Sequence, residues 1–117
     1  MLNVYHYTGK DGWNAIRAQK TWRFNASQPR DPDRPAGAYF TDIEPSDGNL
    51  RTLHKRIRVP KAKQAYVFWF VGSGGLTQLF GGLGRDKRID FSPVDYDVAE
   101  DRQKYGDETA QLLEGSG

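Results

Sequence analysis

"LNVYHYTGKDGWNAIRAQ", residues 2–19, changes its periodicity at a single glycine. Leu2, Val4, His6 and Thr8 alternate with Asn3, Tyr5 and Tyr7 in β-branched and aromatic company, which predicts a strand ending at Thr8-Gly9. From Lys10 to Gln19 the pattern turns helical, with Trp13, Ile16 and the stem of Lys20 on one face and Thr8 standing where an N-cap belongs. A strand that passes into a helix across one turn points to a mixed α and β domain. It also sets one of the chain's two histidines, His6, in the middle of its first strand.

The rest of the chain is read outward from that unit. "TWRF" (21–24) predicts a short strand, and 25–36, with its prolines and alternating charges, a surface loop. "GAYFTD" (37–42) predicts another short strand, closed by a turn at Pro45, Asp47 and Gly48. Leu50, Leu53 and Ile57 repeat at helical spacing, so 49–57 reads as a helix stopped before Pro60. "AYVFWFVG" (65–72) carries no charge and is short, the pattern of a core strand buried on both faces at the centre of a sheet. The glycine-rich stretch 72–84 reads as a loop with one helical turn at "LTQLF", 87–91 as a strand, and 94–106 as a loop followed by a short strand or helix. No internal repeat or low-complexity tract is present in the sequence.

At 117 residues and 13.3 kDa the chain has room for one core, which places a single domain over 1–114 and leaves "GSG" (115–117) as a tail or cloning scar. Hydrophobic residues make up 37% and charged residues 27%, enough for a globular but polar domain with a mean hydropathy of -0.78. A net charge of +2 is far from the excess of a dedicated nucleic-acid binder. The absence of cysteine excludes disulfides and thiolate metal sites, and His6 and His54 stand too far apart in sequence to suggest zinc, so no metal is expected. No basic n-region opens the chain and no apolar run approaches the ~18 residues of a membrane span, so neither a targeting signal nor a membrane partner is expected.

Several features read as ordinary surface or packing. "GGLGRDK" lacks the lysine and hydroxyl ending of a phosphate-binding loop. The basic residues between Arg51 and Lys63 read as a solvated helix face and loop, with His54 among them at the surface. His6 by itself reads as a core histidine with a hydrogen-bond partner, and Tyr39 and Phe40 by themselves as packing aromatics.

Taken together, "VYHYT" on the first strand and "GAYFTD" farther along resemble the His and Gly-x-Tyr-Phe motifs of the ADP-ribosyltransferase superfamily of the diphtheria-toxin and poly-ADP-ribose-polymerase type. They are most similar to the small bacterial polymorphic-toxin branch with a His-Tyr-Asp signature. The resemblance covers roughly residues 2–42 by motif and the remainder by element order. It implies two small, roughly orthogonal antiparallel sheets with a few short helices and an NAD cleft between them.

The resemblance also implies roles. His6 would hydrogen-bond an adenosine-ribose hydroxyl of NAD, the Tyr7 backbone and Thr8 hydroxyl would line the nicotinamide amide, Tyr39 would stack on the nicotinamide ring, and Gly37 would let the backbone approach closely. A carboxylate on a later strand would stabilise the oxocarbenium-like transition state and fix a ribose hydroxyl. Asp90 in "RIDFSP" holds the matching place, with Asp95 and Asp97 in "VDYD" as rivals. An aspartate is one methylene shorter than the glutamate of other branches, so the ribose would have to come nearer.

The implied activity is cleavage of nicotinamide from NAD and transfer of ADP-ribose to a protein, a nucleic acid or water, as a toxin or effector with a cognate immunity protein. It would act in a cytoplasm, including that of a target cell after delivery within a larger secreted protein. Two other readings stand beside it. An NAD-dependent RNA 2'-phosphotransferase shares a related fold but needs further histidine and arginine contacts near its first motif, where this chain offers only His6. A non-catalytic module would bind NAD or ADP-ribose with the help of the basic stretch 51–63.

Overall fold

The computed structural model describes residues 3–26, 37–45, 64–72, 76–80, 88–92, 94–99, 101–110 and 112. Over these it is a small α+β fold with two antiparallel sheets and one helix. The predicted helix at 49–57, the basic stretch 51–63 with His54, and most of the loop 25–36 lie outside the described residues.

β1 (Asn3–Thr8) lies in the middle of a six-stranded sheet, between β3 (Ala38–Thr41) and β4 (Tyr66–Val71). β6 (Arg88–Ser92) and then β5 (Thr77–Phe80) extend the sheet beyond β3, and β8 (Lys104–Glu108) closes the other end beside β4. β2 (Trp22–Phe24) and β7 (Tyr96–Val98) form a separate pair.

The alternation predicted for β1 holds in the packing. Val4 and His6 project to an inner face shared with Phe40, Phe68 and Phe70, against which Phe24, Tyr96 and Val98 of the small sheet pack. Tyr5 and Tyr7 project to the outer face, with Val67, Ile43 and the partly buried Tyr39 and Trp69. β4 is covered on both faces as its uncharged sequence predicts, Val67 outside and Phe68 and Phe70 inside. It is an interior strand rather than the central one, since only β8 lies beyond it.

The helix α1 (Lys10–Arg17) lays Trp13 flat on Tyr66 and Phe68, with ring centroids 4.9 Å apart in both pairs. Asp11 in its first turn and Arg17 in its last complement the helix dipole, and the Arg17 guanidinium sits 5.3 Å above the Trp13 ring. The N-cap is Gly9 rather than Thr8, and it makes no side-chain cap bond. Thr8 stays paired with Tyr66 in the strand and is buried, and a Cβ at Gly12 would collide with its Oγ1. The hydroxyl therefore fills the gap under the first turn of the helix that a glycine leaves.

Two segments depart from the sequence reading. "LTQLF", expected to form a helical turn, contributes β5, which pairs with β6 from Thr77↔Phe91 to Phe80↔Arg88. A single isolated helical turn fixes several residues for one hydrogen bond, whereas a short strand beside an existing one gains a bond from almost every step. The stretch 94–106, which reads as a loop followed by a short strand or helix, instead carries β7 near its beginning, where the loop is expected, and the first residues of β8 at its end.

Cations bind the small sheet to the large one. The Lys104 ammonium donates to the carbonyls of Lys20, Val98 and Ala99 and sits 5.1 Å from the Trp22 ring centroid. Arg102 donates to the Val71 carbonyl and lies 5.2 Å over Phe70. Gly106 of β8 fits against aromatic carbon, because a Cβ there would come within 2.8 Å of both Phe68 and Trp13.

Candidate functional site

His6 is half-buried between the two sheets. Its ring meets Phe24 of β2 edge-on, centroids 4.8 Å apart, and Phe40 of β3 at 5.6 Å. Phe24 and Phe40 in turn contact each other at 5.1 Å, so the imidazole rests on a two-ring corner. Nδ1 lies 3.0 Å from the Tyr39 carbonyl oxygen. A carbonyl only accepts, so Nδ1 carries the proton, and in the neutral ring Nε2 is the acceptor. The imidazole thus lies against two phenylalanine rings with Nδ1 bonded to the neighbouring strand.

The sheet register brings the motif strands together. β1 pairs with β3 at Tyr5↔Thr41, and β3 pairs with β6 through Phe40↔Asp90. Continuing the first register sets His6 beside Phe40, in agreement with their ring contact. His6, Phe40 and Asp90 consequently occupy one cross-strand row, with Phe68 next to His6 on the far side. Strands stand about 4.8 Å apart, so the His6 and Asp90 backbones are about 10 Å apart across β3.

The two rival carboxylates lie elsewhere. Asp97 sits on the exposed side of β7 and pairs with Arg23, Nε to Oδ1 at 2.9 Å and a second bond to Oδ2 at 3.2 Å. Its neighbours Tyr96 and Val98 point into the core, so Asp97 points away from His6. Hydrogen bonding to Arg23 holds the Asp97 carboxyl below the usual carboxylate range and raises the Arg23 guanidinium in turn. Asp95 accepts the Ala26 N–H at 2.7 Å.

The expected cleft wall is divided between two faces. Tyr39 and Tyr7 side chains lie on the outer face, opposite His6. The Tyr7 hydroxyl donates to the Ile43 carbonyl at 2.7 Å, and the Tyr5 hydroxyl points to Glu44 Oε2 at 3.5 Å. Burial, reinforced by Glu44, raises the Tyr5 phenol above its usual value of 10.0, against a smaller lowering by Asn3. Thr8 is turned under α1, and Gly37 is buried just ahead of β3. The arrangement joins His6 to Tyr39 through the Tyr39 backbone rather than its ring. Sequence reading missed Phe24 as a neighbour of His6, and no local signal marks it, because β2 pairs with a strand more than seventy positions later.

Among the described residues no group of three or more His, Asp or Glu side chains is placed to hold a metal ion, and no helix is long and apolar enough to cross a membrane. No protein-family model, curated protein or solved structure matches the chain significantly.

Proposed function

We propose that the chain cleaves NAD and transfers its ADP-ribose, acting as a small toxin or effector domain. The observation that carries this reading is the adjacency of β1, β3 and β6: the His motif, the Gly-x-Tyr-Phe motif and Asp90 fall on three neighbouring strands, with Asp90 in register with Phe40.

In this reading His6 binds a ribose hydroxyl of NAD, Tyr39 holds the His6 tautomer through its carbonyl, and the Tyr39 ring stays with the outer cluster. Asp90 is the acidic residue, because Asp97 faces solvent with Arg23 as its partner and Asp95 is bonded to the Ala26 amide. The C1'–N bond breaks with its electron pair leaving on nicotinamide. Positive charge develops on the ribose and is stabilised by the carboxylate, and the acceptor's oxygen or nitrogen then bonds C1' and gives up its proton. No metal is required for these steps.

Nicotinamide release from NAD, with ADP-ribose adducts sought by mass spectrometry in a treated lysate, tests the proposal. Asp90→Asn is expected to lower turnover by about 10²–10³-fold, the cost of removing one preorganised electrostatic contact. Asp97→Asn should retain turnover. Absence of nicotinamide release by the wild-type chain overturns the reading, and calorimetric binding of NAD without release makes the chain a binding module instead.

A further inference from the structure

We infer that Phe24 is a positioning residue for His6, and that Asp95 and Asp97 brace its strand on either side so that the small sheet sets the orientation of the imidazole. The inference rests on the reading above only for its consequence on NAD. Phe24 is the inner residue of β2 and is 1% exposed, and its ring meets the imidazole at 4.8 Å with the planes 61° apart. This is the edge-to-face arrangement in which aromatic rings attract beyond their buried area.

The two residues flanking Phe24 at close range are each tied to β7 or the turn before it. Arg23, one position before, makes a two-bond contact to Asp97, and Ala26, two positions after, donates its amide to Asp95. The strand's own ladder adds Phe24↔Tyr96. A three-residue strand with one partner is weakly held by itself. The carboxylates supply the missing anchorage at both ends, which accounts for two acidic residues that the chemistry of NAD cleavage does not use.

The mechanical consequence concerns Nδ1. Rotation of the imidazole about its side-chain bonds breaks the 3.0 Å contact to the Tyr39 carbonyl, and the Phe24 ring packed against it at 4.8 Å opposes that rotation. Removing that wall allows a second rotamer and with it the other tautomer.

Nitrogen-15 NMR of histidine-labelled protein reads this directly, with His54→Gln separating the two histidines. In the wild type the His6 ring should be the Nδ1–H tautomer. Phe24→Leu, which keeps the site apolar, is expected to replace that signature with a mixture and to raise the KM for NAD by up to about tenfold, the equivalent of one edge-to-face contact, while kcat changes less. Asp95→Asn combined with Asp97→Asn should shift the tautomer in the same direction by a smaller amount. Phe70→Leu removes a buried ring that touches Phe24 and Phe40, and it should leave the His6 signature in place.

An unchanged His6 spectrum in Phe24→Leu overturns the inference, as does an equal change in Phe70→Leu. The NMR result does not depend on NAD, so a protein that shows the tautomer change but releases no nicotinamide disproves the enzymatic reading alone.

Discussion

The two faces of the six-stranded sheet are built from different aromatics. Around His6 the inner face is built of phenylalanines, Phe40, Phe68 and Phe70, each of which meets Phe24 in an edge-on or tilted contact, with Phe40 and Phe70 also edge-on to each other. The outer face uses Tyr5, Tyr7, Tyr39 and Trp69, and the Tyr7 hydroxyl is bonded to a backbone carbonyl. A row of stacked rings runs across that face from Tyr5 to Trp69 at 6.1 Å and on to Tyr105 at 5.6 Å, where the last ring is 50% exposed. Polar atoms are ordinary on the outer face because the wet end of each ring has somewhere to go. Among the inner phenylalanines a polar ring must be accommodated by its neighbours, and His6, against Phe24 and Phe40, is the case at the middle of the sheet.

The contrast can be broken most severely from the inner side. Phe68→Ala removes a fully buried ring that touches Trp13, Trp22 and Phe24, and unfolding by urea should show a loss of about 3–5 kcal/mol. Next comes Gly106→Ala, which places a methyl group within 2.8 Å of Phe68 and Trp13. Phe68 is fully buried and has no free space to retreat into, so overpacking should cost about 1–3 kcal/mol in the same measurement.

The outer face should respond more mildly. Tyr7→Phe keeps the ring and strips the Ile43 carbonyl of its 2.7 Å donor, and it should cost about 1 kcal/mol. A loss as large as that of Phe68→Ala would mean that the two faces are not distinguished by their polar handles.

The smallest effect belongs to the Arg23–Asp97 pair, where both side chains are about half exposed. The Asp97 carboxyl titrates below its ordinary 3.8 in the folded chain, so the pair contributes stability above that value and loses it as the pH falls through the depressed pKa. Stability profiles of the wild type and Asp97→Asn should therefore converge in acid, and added salt should narrow the gap at neutral pH. Profiles that remain parallel down to the lowest pH at which the protein folds would assign the effect to packing.

Periodicity in the sequence located β1, β2, β3, β4 and α1, since each carries its own apolar pattern. It also told that Tyr39 and Phe40 face opposite ways. Which of the two shares a face with His6 depends on the β1–β3 register at Tyr5↔Thr41, and a shift by one residue would exchange them. That register is set by packing across strands distant in sequence, so neither "VYHYT" nor "GAYFTD" contains it. The same limit applies to the carboxylates. Residue type admitted Asp90, Asp95 and Asp97, with Asp90 preferred for its place in "RIDFSP", and the pairing of β6 with β3 and of β7 with β2 is what sets Asp90 beside Phe40 and Asp97 opposite Arg23. β5 was misread because Leu76, Leu79 and Phe80 are spaced as on a helix, while its strand identity comes from the neighbour it joins.

Lys104 has a chemical consequence beyond its place in the fold. An ammonium group has three protons, and here each one points to a carbonyl, those of Lys20, Val98 and Ala99. A neutral amine attacks an acylating reagent through its nitrogen lone pair, and here the nitrogen must first leave its carbonyl partners to present one, so Lys104 should acquire a label far more slowly than lysines whose ammonium is merely solvated. The rate at which it is labelled then becomes a clock for the moments when β7 and the turn before β2 part from β8.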